Sequence, residues 1–248
     1  MSTYPIYLRP ELAPIIAETP EQTTWDLPAM RAGGDALLAN PHEADNRVEV
    51  SARGRTFIPA DLAEDAPLII SIHGGGYVAG RAAFDDAKND ELATRFGAIV
   101  VSPEYRLAPE FPFPIPVDDC ISALAEALER FGHERPTFIL GDSAGAGLAY
   151  SMVSRLCGLG LHMAQDEVIA ARYKRIASLI RGIILLEPCV DPTLSTPSSR
   201  FFTEGPVWTR RAAAGAWRHY FGVPLDAEVT IPLRLIEAAF PKPSEEFR

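Results

Sequence analysis

Short apolar runs alternate with amphipathic segments from about residue 67 of this 248-residue chain, and this order restricts the fold more than any other feature. The apolar runs are "PLIISIHGG", "GAIVVSPEYR", "PTFILGDS" and "IRGIILLEP", and helical patterns separate them. Strands that are apolar throughout are typical of parallel sheets, because helices cover such sheets on both faces. We therefore predict an α/β fold with a mostly parallel sheet and helices on both of its faces.

The clearest helical pattern is "PVDDCISALAEALERF". Its apolar residues recur at steps of three and four, which places them on one face of a helix that packs on the sheet. Pro116 stands where a helix start tolerates proline, and Gly132 follows where a C-cap glycine is common. The boundaries of this helix are therefore well marked.

Two segments do not follow the alternation. Residues 1–45 are rich in Pro, Ala and acidic residues, and residues 194–224 are rich in aromatic residues. Such segments suit either a lid over a pocket or ordinary helices that cover the core. We assign 1–45 as an N-terminal lid segment, 46–193 as the core, 194–224 as lid helices and 225–248 as a C-terminal segment.

Composition disfavours several classes of partner. A formal net charge of −10 argues against nucleic acid and anionic membranes, because both attract Lys/Arg patches. The sequence offers neither a membrane span of about 18 apolar residues nor a secretory signal, so we expect a cytoplasmic protein. Cys120, Cys157 and Cys189 have no C-x-x-C spacing and fall in apolar elements. We expect reduced core thiols, without a disulfide framework or a metal site.

Two glycine-containing motifs follow apolar runs. In "FILGDSAGAG", residues 138–147, Ser143 stands between small residues in the strand, turn, helix layout of a nucleophile elbow, G-x-S-x-G. In "HGGGY", residues 73–77, consecutive glycines allow backbone N–H groups to approach a substrate oxygen more closely than a Cβ permits. A flexible turn is the alternative for this second motif. A phosphate loop is not favoured, because no Lys-Ser/Thr follows the glycines.

A third motif, "PEYRLAPEFPFP" at residues 103–114, lies between the other two. In this order, HGGG, YRLAPE and GDSAG closely resemble the hormone-sensitive lipase family of α/β-hydrolases. The resemblance covers about residues 65–192. It implies the α/β-hydrolase fold with a helical lid, small esters of carboxylic acids as substrates, a serine nucleophile and no cofactor.

The resemblance also assigns roles to individual residues. Ser143 is the expected nucleophile, His73 orients the glycine loop, and Asp142 braces the turn or faces the pocket. We also expect Arg106 and Glu110 to form a structural pair. The oxyanion hole is expected from three backbone N–H groups, those of Gly74, Gly75 and Ala144.

The sequence does not indicate which residue accepts the hydroxyl proton of Ser143. In α/β-hydrolases the acid and the histidine follow the serine along the chain, but no histidine follows His219 here. His133 precedes the strand that leads to Ser143, about 30 Å away, and His162 follows the next helix, about 20 Å away. His219 lies in a predicted lid helix, where we expect it to pack or to face solvent; a role as substitute base is the alternative. Asp191 is close enough to act as an acid, but we expect it to cap a turn.

We therefore expect a C-terminally truncated member of the family, without its last strands and helices and with impaired esterase activity. The alternative is a non-catalytic small-molecule binding protein, similar to the plant gibberellin receptors, which share the fold and lack the catalytic histidine. A partner chain that supplies the missing segment is a third possibility. An uncovered sheet edge would also favour association between copies of the chain.

Overall fold

The computed structural model describes residues 10–11, 13–18, 26–36, 38, 41–159, 166–201, 203, 208–225 and 230–242. The strands in these ranges are β1 (Arg47–Ser51), β2 (Gly54–Ile58), β3 (Leu68–Ile72), β4 (Ile99–Pro103), β5 (Thr137–Asp142) and β6 (Ile180–Leu186). The helices are α1 (Ala13–Glu18), α2 (Leu27–Ala36), α3 (Asp86–Phe96), α4 (Ile115–Phe131), α5 (Ala144–Leu156), α6 (Glu167–Leu179), α7 (Pro197–Phe201), α8 (Arg210–Tyr220) and α9 (Leu233–Ala239). None of these helices is both long and apolar enough to cross a membrane.

The described strands form one sheet in the order β1-β2-β4-β3-β5-β6. The strands β4, β3, β5 and β6 run parallel, and they correspond to the four apolar runs of the sequence. The prediction of a mostly parallel sheet is confirmed. The hairpin of β1 and β2 joins antiparallel to β4, and neither this hairpin nor α6 was predicted.

Helices cover both faces of the sheet. Alternate residues of β3 point to opposite faces: Leu68 and Ile70 pack with α4 and α5, whereas Ile69 packs with α3. The helix α4 begins beside Pro114 and Pro116 and ends before Gly132, which has a φ of 125°. Its predicted boundaries are confirmed.

The edge strand β6 exposes several apolar side chains. At the β6 end, Ile183, Ile184 and Leu186 are 38%, 54% and 42% exposed. Ile183 and Ile184 are consecutive in a strand, so apolar side chains are exposed on both of its faces. Among the described residues, β6 is thus an apolar edge strand with one side free of any strand partner.

Two predictions about side chains were wrong. Cys157 is exposed because it caps the outer end of α5, whereas Cys120 is a buried core thiol as predicted. Arg106 does not pair with Glu110. It forms an ion pair with Asp119 at 2.7 Å, because the first turns of α4 return beside the end of β4.

Candidate functional site

Ser143 lies in a strained turn between β5 and α5. Its φ of 53° and ψ of −113° belong to a region that residues with a side chain rarely adopt, and such strain persists only when surrounding contacts fix it. The Ser143 N–H donates to the Leu186 carbonyl at 2.8 Å, and the Ser143 carbonyl accepts from the Cys189 N–H at 3.1 Å. These bonds tie the turn to the end of β6 and the following loop.

The glycines on either side of Ser143 are required by the close approach of backbone segments. A Cβ on Gly141 would lie 2.4 Å from the Gly145 carbonyl oxygen. A Cβ on Gly145 would lie 2.1 Å from the Ile72 carbonyl oxygen and 2.5 Å from that of His73. The G-x-S-x-G spacing therefore lets α5 begin directly against the end of β3.

The glycine loop after β3 lies beside Ser143. A Cβ on Gly74 would lie 3.2 Å from the Asp142 carbonyl oxygen and 3.4 Å from the Cβ of Ser143. In the next peptide units, the N–H groups of Val78 and Ala79 both donate to the Gly75 carbonyl, at 3.2 and 2.9 Å. The loop of residues 74–80, which we call the oxyanion loop after its expected role, is thus closed into a turn against the turn that contains Ser143. The Asp142 side chain is only partly buried, and its role stays a prediction.

His73 fixes the start of the oxyanion loop. Its Nδ1 lies 2.8 Å from the Gly74 carbonyl oxygen, to which an Nδ1–H donates. Because the C=O and N–H of a trans peptide point in opposite directions, this bond aims the Gly75 N–H away from His73. Burial lowers the pKa of His73 to about 4, so the ring stays neutral near pH 7. It stacks on Tyr105, with ring centroids 4.2 Å apart.

Tyr77 connects the oxyanion loop to two other parts of the site. Its hydroxyl donates to the Cys189 carbonyl at 2.5 Å, and its ring stacks on Tyr220 of α8 at a centroid distance of 4.1 Å. A Cβ on Gly147 would lie 2.0 Å from that hydroxyl. The glycine after Ala146 therefore makes room for Tyr77.

The predicted lid segment contacts the oxyanion loop through Trp208. A Cβ on Gly76, whose φ is 62°, would lie 2.5 Å from the Trp208 ring. Trp208 itself is 38% exposed, so it lies at the rim of the site. The close packing of an indole against bare backbone explains why the loop has a glycine at this position as well.

Cys189 is the site residue that the sequence did not reveal. Its Sγ lies 3.5 Å from Ser143 Oγ, and no other polar partner of that hydroxyl occurs in the described part of the chain. Burial raises the pKa of the Cys189 thiol, so it is neutral and no base for Ser143. The parallel pairing of Asp142 with Leu186 could have indicated this contact, since it places the loop after β6 beside the loop after β5.

The chain is similar to known proteins in sequence and in fold. The family model described as "alpha/beta hydrolase fold" matches residues 69–240 of the chain. This chain belongs to the α/β-hydrolase fold family. The resemblance that the HGGG, YRLAPE and GDSAG motifs indicated is confirmed.

Three relatives illustrate the similarity of this α/β-hydrolase to esterases. Versiconal hemiacetal acetate esterase of Emericella nidulans is 34% identical over 52% of the chain, and hormone-sensitive lipase of Ictidomys tridecemlineatus is 29% identical over 52%. The matches span 44% and 18% of those relatives. A solved structure titled bacterial heroin esterase covers 94% of the chain, with a TM-score of 0.69 and 31% identity, and the chain covers 74% of it.

In this α/β-hydrolase no described histidine contacts Ser143. His42 pairs with Asp90 on α3 at 2.9 Å, and His133 is exposed before the start of β5. Partial burial lowers the pKa of His219, and the charges that act on it are those of Glu110 and Arg31. His162 lies outside the described residues.

Asp191 caps a turn, as predicted. Its carboxylate accepts hydrogen bonds from the N–H groups of Thr193 and Ser195 at 2.9 and 3.1 Å, and from both of their hydroxyls. Partial burial alone would raise the pKa of Asp191, but these hydrogen bonds outweigh it and lower the pKa. Four donors already occupy the oxygens that would orient a histidine.

No cluster of three metal-ligating side chains occurs within the described ranges. A groove of about 500 Å³ lies between the β1–β2 hairpin and α4, lined by Arg53, Arg130 and Glu126 among others. It contains none of the predicted site residues. The site therefore consists of Ser143, the oxyanion loop, Cys189 and the aromatic residues that cover them.

We predict that Gly145→Ala destabilises the protein by about 1–3 kcal/mol or more, because the new methyl group must displace the Ile72 carbonyl. Gly33→Ala is the matched control. Gly33 is exposed on α2 with nothing within 4 Å of a Cβ, so alanine should stabilise it by about 0.5–1 kcal/mol. Urea unfolding measures both changes, and equal effects of the two substitutions would contradict the proposed close contact.

Proposed function

We propose that this α/β-hydrolase acts on esters of carboxylic acids, with Ser143 as nucleophile, and that it turns over slowly because none of the described residues is placed to act as a base for Ser143. The observation that carries the proposal is the strained Ser143 turn packed against the oxyanion loop. A serine held in an unfavourable conformation, beside a loop of glycines, is an arrangement that exposes one hydroxyl to a substrate carbonyl.

The proposed reaction begins with attack of Ser143 Oγ on the carbonyl carbon of the ester. A bond forms between Oγ and that carbon, and the carbonyl electron pair moves to oxygen. The N–H groups of Gly74, Gly75 and Ala144 are proposed to bind this oxyanion, each contributing about 2.7–4 kcal/mol. Ala144 is the first residue of α5, where the helix dipole also favours negative charge. The carbonyl then re-forms as the ester C–O bond breaks, and the alkoxide leaves and takes a proton from water. Water then hydrolyses the acyl-serine to the carboxylic acid and free Ser143.

The Oγ proton must be removed during the attack, and no described residue is placed to accept it. His73 is neutral, with a pKa of about 4, and its Nδ1 is bonded to Gly74. In a serine protease, loss of the histidine lowers kcat by about 10⁶. That factor corresponds to about 8 kcal/mol of transition-state stabilisation.

The proposed substrates are esters with small acyl groups. Cys189 occupies the space 3.5 Å from Ser143 Oγ, and Trp208 packs on the rim of the oxyanion loop. The name of one relative, versiconal hemiacetal acetate esterase, specifies an acetate ester. These three observations favour an acetyl-sized group over a long acyl chain.

We predict that an added base restores the reaction. The chain should hydrolyse p-nitrophenyl acetate at a rate close to that of Ser143→Ala, and imidazole should then accelerate the parent chain more than Ser143→Ala at the same concentration. Imidazole from solution can take the Oγ proton at the site. Subtracting the rate of Ser143→Ala at the same imidazole concentration corrects for the direct reaction of imidazole with the ester. His219→Ala should behave like the parent chain in both assays.

Two results would contradict this proposal in different ways. Turnover above about 1 s⁻¹ that vanishes in Ser143→Ala would show that a working base is present. If that turnover also vanished in His219→Ala, the base would be His219. Imidazole acceleration equal to that of Ser143→Ala, together with saturable ester binding, would instead favour the small-molecule binding function.

We also propose that copies of the chain associate through the apolar edge strand β6. Ile184→Lys should shift the protein toward the monomer in multi-angle light scattering, because a charge at a 54% exposed edge position opposes strand pairing. Val50→Lys is the matched control on the opposite edge strand, where Val50 is 66% exposed. A parent chain that is monomeric at all concentrations would contradict the proposal.

A further inference from the structure

Arg31 of the N-terminal helix α2 reaches the oxyanion loop. Its Nε donates to the Val78 carbonyl at 2.7 Å, and its Nη2 donates to the Ala108 carbonyl at 2.9 Å. Arg31 is separated along the chain from Val78 by 47 residues and from Ala108 by 77. One guanidinium thus joins α2, the oxyanion loop and the loop that follows β4.

The Arg31 guanidinium is held in one orientation by Glu110. Nη1 and Nη2 donate to the two carboxylate oxygens at 2.8 Å each, which is the bidentate geometry that a guanidinium favours. The Arg31 hydrogen bonds lower the pKa of Glu110 to about 2, so the pair stays ionised near neutral pH. A guanidinium fixed in this way keeps its remaining N–H groups aimed at the two carbonyls.

Val78 is the far end of the turn that fixes Gly75. The Val78 and Ala79 N–H groups donate to the Gly75 carbonyl, and the Ala108 N–H donates to the Tyr77 carbonyl at 3.0 Å. His73 therefore fixes the peptide before Gly75, and the Val78 turn fixes the peptide after it. Release of the Val78 carbonyl would leave this second side without its anchor on α2.

Apolar contacts support the same junction. Val78, Ala79 and Ala108 form a small cluster with Leu27 of α2 and Ala216 of α8. The two predicted lid segments therefore meet over the oxyanion loop. The polar core of this junction is the Arg31 guanidinium.

We infer that Arg31 is a positioning residue for the oxyanion hole, so that the N-terminal helix sets the geometry of the Gly75 N–H. This inference rests on the proposed function of Ser143. It predicts that loss of the Arg31 contacts weakens binding of an oxyanion more than binding of the neutral ketone from which the oxyanion forms.

The test compares an aryl trifluoromethyl ketone with the matching aryl methyl ketone. Ser143 Oγ adds to the activated carbonyl carbon, the carbonyl electron pair moves to oxygen, and the Oγ proton passes to solvent. ¹⁹F NMR quantifies the fraction of the trifluoromethyl ketone that is bound as the adduct. The affinity for the methyl ketone gives the strength of binding without addition. This equilibrium does not depend on how fast a base removes the proton.

Arg31→Gln should weaken the trifluoromethyl ketone adduct roughly 10- to 100-fold, because a displacement of about 1 Å is costly at a reacting centre. Its affinity for the methyl ketone should stay unchanged. Arg31→Lys should give a smaller loss, since a lysine can donate to one carbonyl but cannot form the fork. Arg172→Gln is the matched control, because Arg172 pairs with Glu129 in an exposed ion pair outside the site.

The outcomes separate the inference from the proposed function. No adduct in the parent chain beyond that of Ser143→Ala would overturn the proposed function itself. A normal parent adduct that Arg31→Gln leaves unchanged, or equal weakening of both ketones, would overturn the positioning role alone. Should Arg31→Gln fail to fold, Arg31→Lys carries the same comparison, and an unchanged ratio of the two ketone affinities would overturn the inference.

Discussion

The contact between the start of α5 and the end of β3 is the constraint on which the rest of the site depends. A single added methyl group on Gly145 would meet the Ile72 carbonyl oxygen at 2.1 Å, so the two backbones are as close as glycine allows. This contact brings the Ser143 turn and the oxyanion loop together, because the turn begins α5 and the loop continues β3. Backbone hydrogen bonds of the Ser143 N–H and carbonyl, rather than its side chain, then hold this strained conformation in place.

A second group of contacts joins the lid segments to the same loop. Tyr77 stacks on α8, Trp208 packs on Gly76, and Arg31 donates to the Val78 carbonyl. Tyr220, Trp208 and Arg31, which come from distant parts of the sequence, thus contact three consecutive loop residues, Gly76, Tyr77 and Val78. The proposed oxyanion hole is therefore preorganised by the covering helices as well as by the sheet, which is the property that gives hydrogen-bond donors their effect on a developing charge.

Local sequence patterns predicted the parts of this structure that depend on the conformational preferences and burial of neighbouring residues. The four parallel strands, the α4 boundaries and the turn at Ser143 followed from apolar runs, periodicity and glycine spacing. The β1–β2 hairpin was missed because its strands mix charged with apolar residues, although Phe57 and Ile58 of β2 are buried. Glu110 was paired with the wrong arginine because its partner, Arg31, lies 79 residues away. Such contacts depend on the tertiary arrangement, which no short motif encodes.

The site contains the groups proposed to bind an oxyanion, but the described residues beside Ser143 include no base. The residues proposed to bind the oxyanion are held firmly, whereas no base for the Ser143 hydroxyl occurs among the residues that the structure describes. The two halves of catalysis are physically separate, because oxyanion binding depends on backbone N–H groups and proton transfer on a side chain. A chain with only the first half should bind a tetrahedral adduct and form it slowly.

The most direct test of this account is a crystal structure of the chain soaked with a trifluoromethyl ketone. The account predicts a tetrahedral carbon bonded to Ser143 Oγ, with its oxygen about 2.7–3.1 Å from the backbone nitrogens of Gly74, Gly75 and Ala144. An adduct whose oxygen points away from these nitrogens, or a ketone hydrate with no bond to Ser143, would contradict it.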